Sequence, residues 1–181
     1  MRFIGDIHGN FELLKIKFME PGAGGTTYVQ VGDFGMMFDL KANENYRWSG
    51  KKARKILENL DMALGFVWSE LYVCRGNHDN PAFWDNAEEW NTQRITFVPD
   101  YSVLTIEDRR ILFVGGAISI DRSNDSRVEG TTYWKDEKFK YDERAIDRII
   151  KHNDRIDIVV THTSPSCAAP YGFPMIVTQF F

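Results

Sequence analysis

The sequence predicts an α/β fold with a mixed sheet, because short apolar runs alternate with helical patterns and a hairpin follows them. A third observation agrees: polar residues collect just after the apolar runs, where sheets of this class place their ligands.

The elements follow in order. A first strand leads into Gly5-Asp6, and Asn10 is placed to cap a helix whose Phe11, Leu14 and Phe18 share a face. Glu12 near its start and Lys17 near its end suit the helix dipole. Residues 28–31 (Tyr-Val-Gln-Val) form the second apolar run. Between Gly50 and Gly65, Ala53, Ile56, Leu57, Leu60, Ala63 and Leu64 keep a helical period. Residues 71–74 make a third buried strand. Residues 102–106 and 110–114, joined by Glu107-Asp108-Arg109, predict a hairpin. Tyr141, Ala145, Ile146, Ile149 and Ile150 predict a further helix, and residues 156–160 a last strand. The mixed charges from Lys135 to Arg144 read as the solvated face of a helix, and His152 as its exposed decoration.

Bulk properties narrow the function. The chain is 43% hydrophobic and 27% charged, ordinary for a globular domain, and no repeat or linker divides it, so one domain over residues 1–181 is expected. Twenty-two Lys and Arg against 26 Asp and Glu give a net charge of −4 with no basic run, which argues against a stable nucleic-acid partner. Two cysteines, Cys74 and Cys167, form neither a framework nor a CxxC pair, so a reducing compartment is expected. There is no signal-like segment, and no apolar stretch nears the ~20 residues a membrane helix needs. The cytoplasm is the expected location, with no membrane partner.

Four strand ends carry the chemistry. They read Gly5-Asp6-Ile7-His8-Gly9-Asn10, Gly32-Asp33-Phe34-Gly35, Arg75-Gly76-Asn77-His78-Asp79 and Thr161-His162-Thr163. Asp6 and His8, two apart, point to one side if the backbone is extended, so an oxygen and an imidazole grip one cation. A lone carboxylate such as Asp33 has two oxygens and can bridge two cations. Asn77 offers an amide oxygen and His162 another imidazole. Mixed nitrogen and oxygen donors suit manganese, iron, zinc or nickel better than calcium or magnesium alone.

Asp6-x-His8-Gly9, Gly32-Asp33, Gly76-Asn77-His78-Asp79 and the later His162 resemble, in order and spacing, the calcineurin-like metallophosphoesterases. The Gly-Asn-His-Asp block is the most specific part, and residues 115–121 resemble a segment of bacterial members. The resemblance implies a four-layer sandwich, two mixed sheets flanked by helices. It also implies two divalent cations, manganese first, and hydrolysis of a phosphomonoester or phosphodiester by a bridging hydroxide. Asp6 and His8 would bind one metal, Asp33 both, and Asn77 and His162 the second. His78 would face a small or macromolecular phosphoester as phosphate binder or general acid. Asp79 would orient the His78 ring and favour its protonated form. The family's final Gly-His-x-His block has no counterpart among the four histidines, His8, His78, His152 and His162. This implies a C-terminally shortened form with one imidazole fewer per metal. A catalytically weak phosphoesterase-fold binding or scaffold protein is therefore the second reading.

Residues beside the motifs have plainer uses. Arg75 suits a substrate phosphate or a carboxylate equally. Phe83, Trp84 and Trp90 suit the core better than a substrate shelf. Residues 36–48 are expected in a lid, and the apolar residues 173–181 fit either a shortened form or a domain whose tail packs elsewhere.

Overall fold

Side chains alternate along the apolar runs, and the two sets they make are buried in two different cores. In a computed structural model of the chain, residues 1–36, 50–125, 127–152 and 155–164 are described. The proposed lid beyond Met36, Cys167 and the 173–181 tail lie outside them.

Strands β1 (Arg2–Ile4), β2 (Thr27–Gln30), β3 (Glu70–Val73) and β4 (Ile95–Phe97) form one sheet in that order, every pair parallel. Strands β5 (Ser102–Ile106), β6 (Arg109–Val114) and β7 (Ile158–Thr161) form a second sheet, with β5–β6 antiparallel and β6–β7 parallel. The expectation of two mixed sheets is corrected among the described residues: only the second is mixed. Each of β1, β2 and β3 is followed by a connection that returns the chain to the end of the sheet where that strand began, which makes the pairs parallel. Strand β4 and the short helix α3 (Pro81–Trp84) were not anticipated, being too brief to show a period.

On one face of the parallel sheet, Tyr28, Leu71, Val73, Ile95 and Phe97 pack against Phe11, Leu14 and Phe18 of α1 (Phe11–Phe18) and Ala53, Leu57, Leu60 and Leu64 of α2 (Gly50–Phe66). Phe83 is buried there, stacked on Trp90 with ring centroids 4.9 Å apart, so these aromatics serve the core. On the opposite face, Val29 and Cys74 meet Ile106, Ile111, Phe113 and Val160, which joins the two sheets. Fully burying such a side chain contributes about 1.5–3 kcal/mol, against about 0.5–1.5 for a typical hydrogen bond. The cores therefore hold the strands, and the loops at the strand ends are positioned by them.

Local signals end the elements. Asn10 Oδ1 accepts the Leu13 amide at the start of α1, as its side chain and place in the sequence predict. Glu107 and Asp108 form the two-residue hairpin loop with φ of 48° and 59°, the left-handed pair that matches the strand twist. Helix α4 (Glu143–Lys151) begins only after its cap Asp142, so the charged run from Lys135 is not a helix face. Glu137 within that run is 1% exposed.

Candidate metal centre

The loops after β1, β2 and β3 are laced together by their backbones. His8 N donates to Asp33 O (2.9 Å), and Gly9 N to Phe34 O (3.0 Å). His78 N donates to Asp33 Oδ1 (2.9 Å). Close approach depends on glycines. A Cβ on Gly76 would overlap Asp33 N and Oδ1, and one on Gly32 would lie 2.5 Å from His162 Cγ.

This lacing corrects the local reading of Asp6 and His8. They do not lie on extended backbone: β1 ends at Ile4, and both have positive φ, 31° and 45°. Asp33 shares the strain at φ 57°. Left-handed conformations cost non-glycine residues about 1–2 kcal/mol each. Three of them at one rim mark a place where geometry is held for something other than stability.

Asp33 is the hub. Its carboxylate is buried, and its two oxygens face different groups. Oδ1 lies 3.2 Å from His162 Nε2, while Oδ2 lies 3.6 Å from His8 Nε2 and 4.0 Å from His78 Nε2. The His8 and His78 rings meet edge to face, 5.1 Å between centroids. Ligand atoms of His8, Asp33 and His78, and separately of Asp6, Asp33 and His162, all fall within 4.8 Å of one another. Asp6 thus groups with His162, with 3.9 Å between its Oδ1 and His162 Nδ1, and His8 groups with His78. The expected pairing of Asp6 with His8 does not appear in either group.

The His162 side of the rim tests whether a cation fits. Nδ1 lies 3.0 Å from Val31 O, an atom that can only accept, so Nδ1 carries hydrogen. Nε2 then faces Asp33 Oδ1 at 3.2 Å and Asn77 Oδ1 at 3.1 Å. Three electron-rich atoms at that spacing need a proton or a cation among them, and separations near 3–3.6 Å are those of donors sharing one cation at ~2.1 Å. The donor set fits a divalent transition metal. Burial alone would raise the Asp33 carboxyl, but His162 and the His78 N–H outweigh it and hold the group below the usual carboxylate range. Burial lowers the His78 imidazole, with Asp33 opposing. For His162 burial also acts downward, but the Asp33 carboxylate prevails and raises it.

Asp79 is placed differently from expectation. It is fully buried, and its oxygens accept N–H groups from Gly35 (2.7 Å), Gly76 (2.7 Å) and Phe34 (3.3 Å). It clasps the loops after β2 and β3 together instead of steering the His78 ring. Burial, against those three N–H groups, pushes its carboxyl up to about 6.

Arg75 is also settled. It is 5% exposed and donates to Asp100 Oδ2 (2.8 Å), Glu137 O (3.0 Å) and Gly115 O (3.3 Å), so it binds carboxylate and carbonyls of the chain itself. Sequence reasoning missed Ser119 and Glu137, both buried beside Asn77. Only the sequence around Gly115-Gly116 hinted at the first, and the charge run concealed the second.

A family model described as calcineurin-like phosphoesterase matches residues 2–177. Comparison with curated proteins and with solved structures returns no match.

Proposed function

The chain belongs to the calcineurin-like phosphoesterase family, and from that premise we propose that it hydrolyses a phosphoester at a dinuclear metal site on the Asp33 rim. The observation that carries the reading is the division of Asp33, one oxygen toward His162, whose Nε2 also meets Asn77 Oδ1, and the other toward His8 and His78. Asp6, His8, Asp33, Asn77 and His162 would hold the cations; the mixed donors suit manganese, iron, zinc or nickel better than calcium or magnesium, and family membership puts manganese first.

Bound cations would supply the hydroxide nucleophile and offset the charge of the phosphoryl oxygens. The protein's own groups do the rest. Val31 O holds the His162 tautomer with Nε2 turned to the rim. The Asp79 clasp keeps the Asp33 and Asn77 loops in register. His78, facing the same carboxylate oxygen as His8, binds a phosphoryl oxygen or gives a proton to the departing alkoxide. Its lowered pKa makes the imidazolium, once formed, the stronger acid.

The substrate is a small or macromolecular phosphoester, monoester or diester, and not a stably bound nucleic acid. We take the two sheets as the inner layers of a four-layer sandwich, residues 1–181 as one domain, and the cytoplasm as its location. No helix among the described residues is long and apolar enough to cross a membrane.

The test is Mn²⁺-dependent hydrolysis of p-nitrophenyl phosphate and bis-p-nitrophenyl phosphate by the parent chain, Asp33→Ala and His78→Ala. Turnover by the parent that both substitutions abolish supports the mechanism, and the preferred ester assigns mono- or diesterase. A parent chain that binds Mn²⁺ yet is as inert as both variants refutes hydrolysis and leaves the scaffold reading.

A further inference from the structure

Behind the rim, a buried polar chain runs away from Asp33 through Asn77, Ser119 and Glu137. All three residues are between 1% and 7% exposed. Asn77 Nδ2 donates to Ser119 Oγ at 2.9 Å, and Ser119 Oγ donates to Glu137 Oε2 at 3.0 Å. Glu137 is itself held from several sides. Its Oε1 accepts the Ser119 amide at 2.6 Å and its Oε2 the Trp134 amide at 3.1 Å. Its backbone carbonyl accepts Arg75 Nη1 at 3.0 Å and the Ala117 amide at 3.3 Å.

Counting hydrogens gives this chain a direction. Both Glu137 oxygens already receive backbone N–H groups, so the carboxylate acts as acceptor. A hydroxyl owns a single hydrogen, and Ser119 spends it on Glu137. Toward Asn77, Ser119 Oγ can then only accept. The Asn77 amide must turn its NH₂ to Ser119, which leaves Oδ1 on the opposite side, 3.1 Å from His162 Nε2. That choice matters because an amide oxygen ligates a cation and an amide nitrogen does not. The two ends of an asparagine amide are nearly the same size, so packing alone does not choose between them.

We infer that Ser119 and Glu137 are positioning residues that lock the Asn77 amide with its oxygen toward the cation site. The inference deepens the proposed function and rests on its assignment of Asn77 as a ligand. Without the lock, the amide samples a flipped state that turns its NH₂ toward His162 Nε2 in place of its oxygen. Loss of such an outer partner lowers metal affinity by about 10- to 100-fold.

Two measurements test it. The first is calorimetric Mn²⁺ titration of the parent, Ser119→Ala, Glu137→Gln, Asn77→Ala and the double variant Asn77→Ala/Ser119→Ala. The expected result is about tenfold or greater weakening in both positioning variants, with no further loss when Ser119→Ala is added to Asn77→Ala. Parent-like affinity in the positioning variants, or an equal loss from Ser119→Ala in the Asn77→Ala background, overturns the inference. Glu137→Gln is nearly isosteric and carries the comparison if Ser119→Ala fails to fold. The second measurement is metal-free: NMR of the parent labelled with ¹⁵N at asparagine. One slowly exchanging side-chain NH₂ pair, absent in Asn77→Ala, is expected to become fast-exchanging in Ser119→Ala. If it exchanges equally in both, the amide is not locked through Ser119 and the inference fails. A parent chain that takes up no Mn²⁺ instead refutes the cation site, and the NMR result alone then decides the amide.

Discussion

Replacing Gly32 with alanine tests whether the glycine after β2 exists to admit the His162 ring. Gly32 has φ of 106°, and an added Cβ would lie 2.5 Å from His162 Cγ and 2.7 Å from its Cβ. Ordinary contact begins near 3.4 Å and Nδ1 would be the nearest ring atom, so the ring must retreat by about 1 Å. Positive φ costs alanine about 1–2 kcal/mol. Crowding adds about 1–3 kcal/mol, and losing the Nδ1 bond to Val31 O about 0.5–1.5. The control is Gly22→Ala, where φ is 78° but nothing lies within 4 Å of the new methyl. That variant carries the backbone term alone. Urea unfolding should show Gly32→Ala less stable than Gly22→Ala by about 1.5–4.5 kcal/mol, with an unchanged denaturant slope. Gly32→Ala should also weaken Mn²⁺ binding while Gly22→Ala leaves it alone. Equal unfolding midpoints and equal Mn²⁺ affinities for the two variants would show that the glycine–histidine contact plays no part.

Three further outcomes follow from the same structure. Arg75→Met leaves Asp100 Oδ2 without its partner, though Oδ1 keeps the Gly115 amide, and leaves three carbonyls short of a donor; it should cost about 3 kcal/mol in urea unfolding; a loss under ~0.5 kcal/mol would contradict the clamp. The Cys74 thiol is buried, and burial pushes it up to about 12 from an unfolded value of 9.0. Above pH 9 the unfolded chain releases this proton and the folded one keeps it. Stability is therefore fully present below pH 9 and falls between pH 9 and 12, by up to about 1.4 kcal/mol per pH unit from this group. Cys74→Ala should show the shallower decline over pH 8.5–10.5, and an identical slope would refute the assignment. Asp108→Gly, at φ 59° in the hairpin loop, should raise the unfolding midpoint, because about 1–2 kcal/mol of relieved strain exceeds the about 0.5–1 kcal/mol of extra glycine backbone entropy; a lower midpoint would mean that the aspartate side chain stabilises the turn.

Membership in the metallophosphoesterase class and the identity of the rim residues were legible in the sequence, because both rest on short-range order. An apolar run followed by Gly-Asp or Gly-Asn-His-Asp encodes a strand and the polar loop at its end. The helix around Leu14 and Phe18, the helix 50–66 and the hairpin were legible for the same reason, since period and turn chemistry are local. What tertiary structure decided is how loops distant in the chain divide one small volume. Two-residue spacing placed Asp6 and His8 together only on an extended backbone, whereas hydrogen bonds from His8 and Gly9 to the Asp33 loop twist the segment into positive φ. Asp79 follows His78 in sequence, but three N–H groups from two loops claim its oxygens. Glu137 sits in a run of alternating charge that reads as solvated surface, yet it is buried with its oxygens accepting from Ser119, 18 residues earlier, and from the Trp134 amide. Periodicity reports which face of an element is apolar. It carries no information on which buried polar group will meet which, since those partners come from separate loops brought together only once both cores have formed.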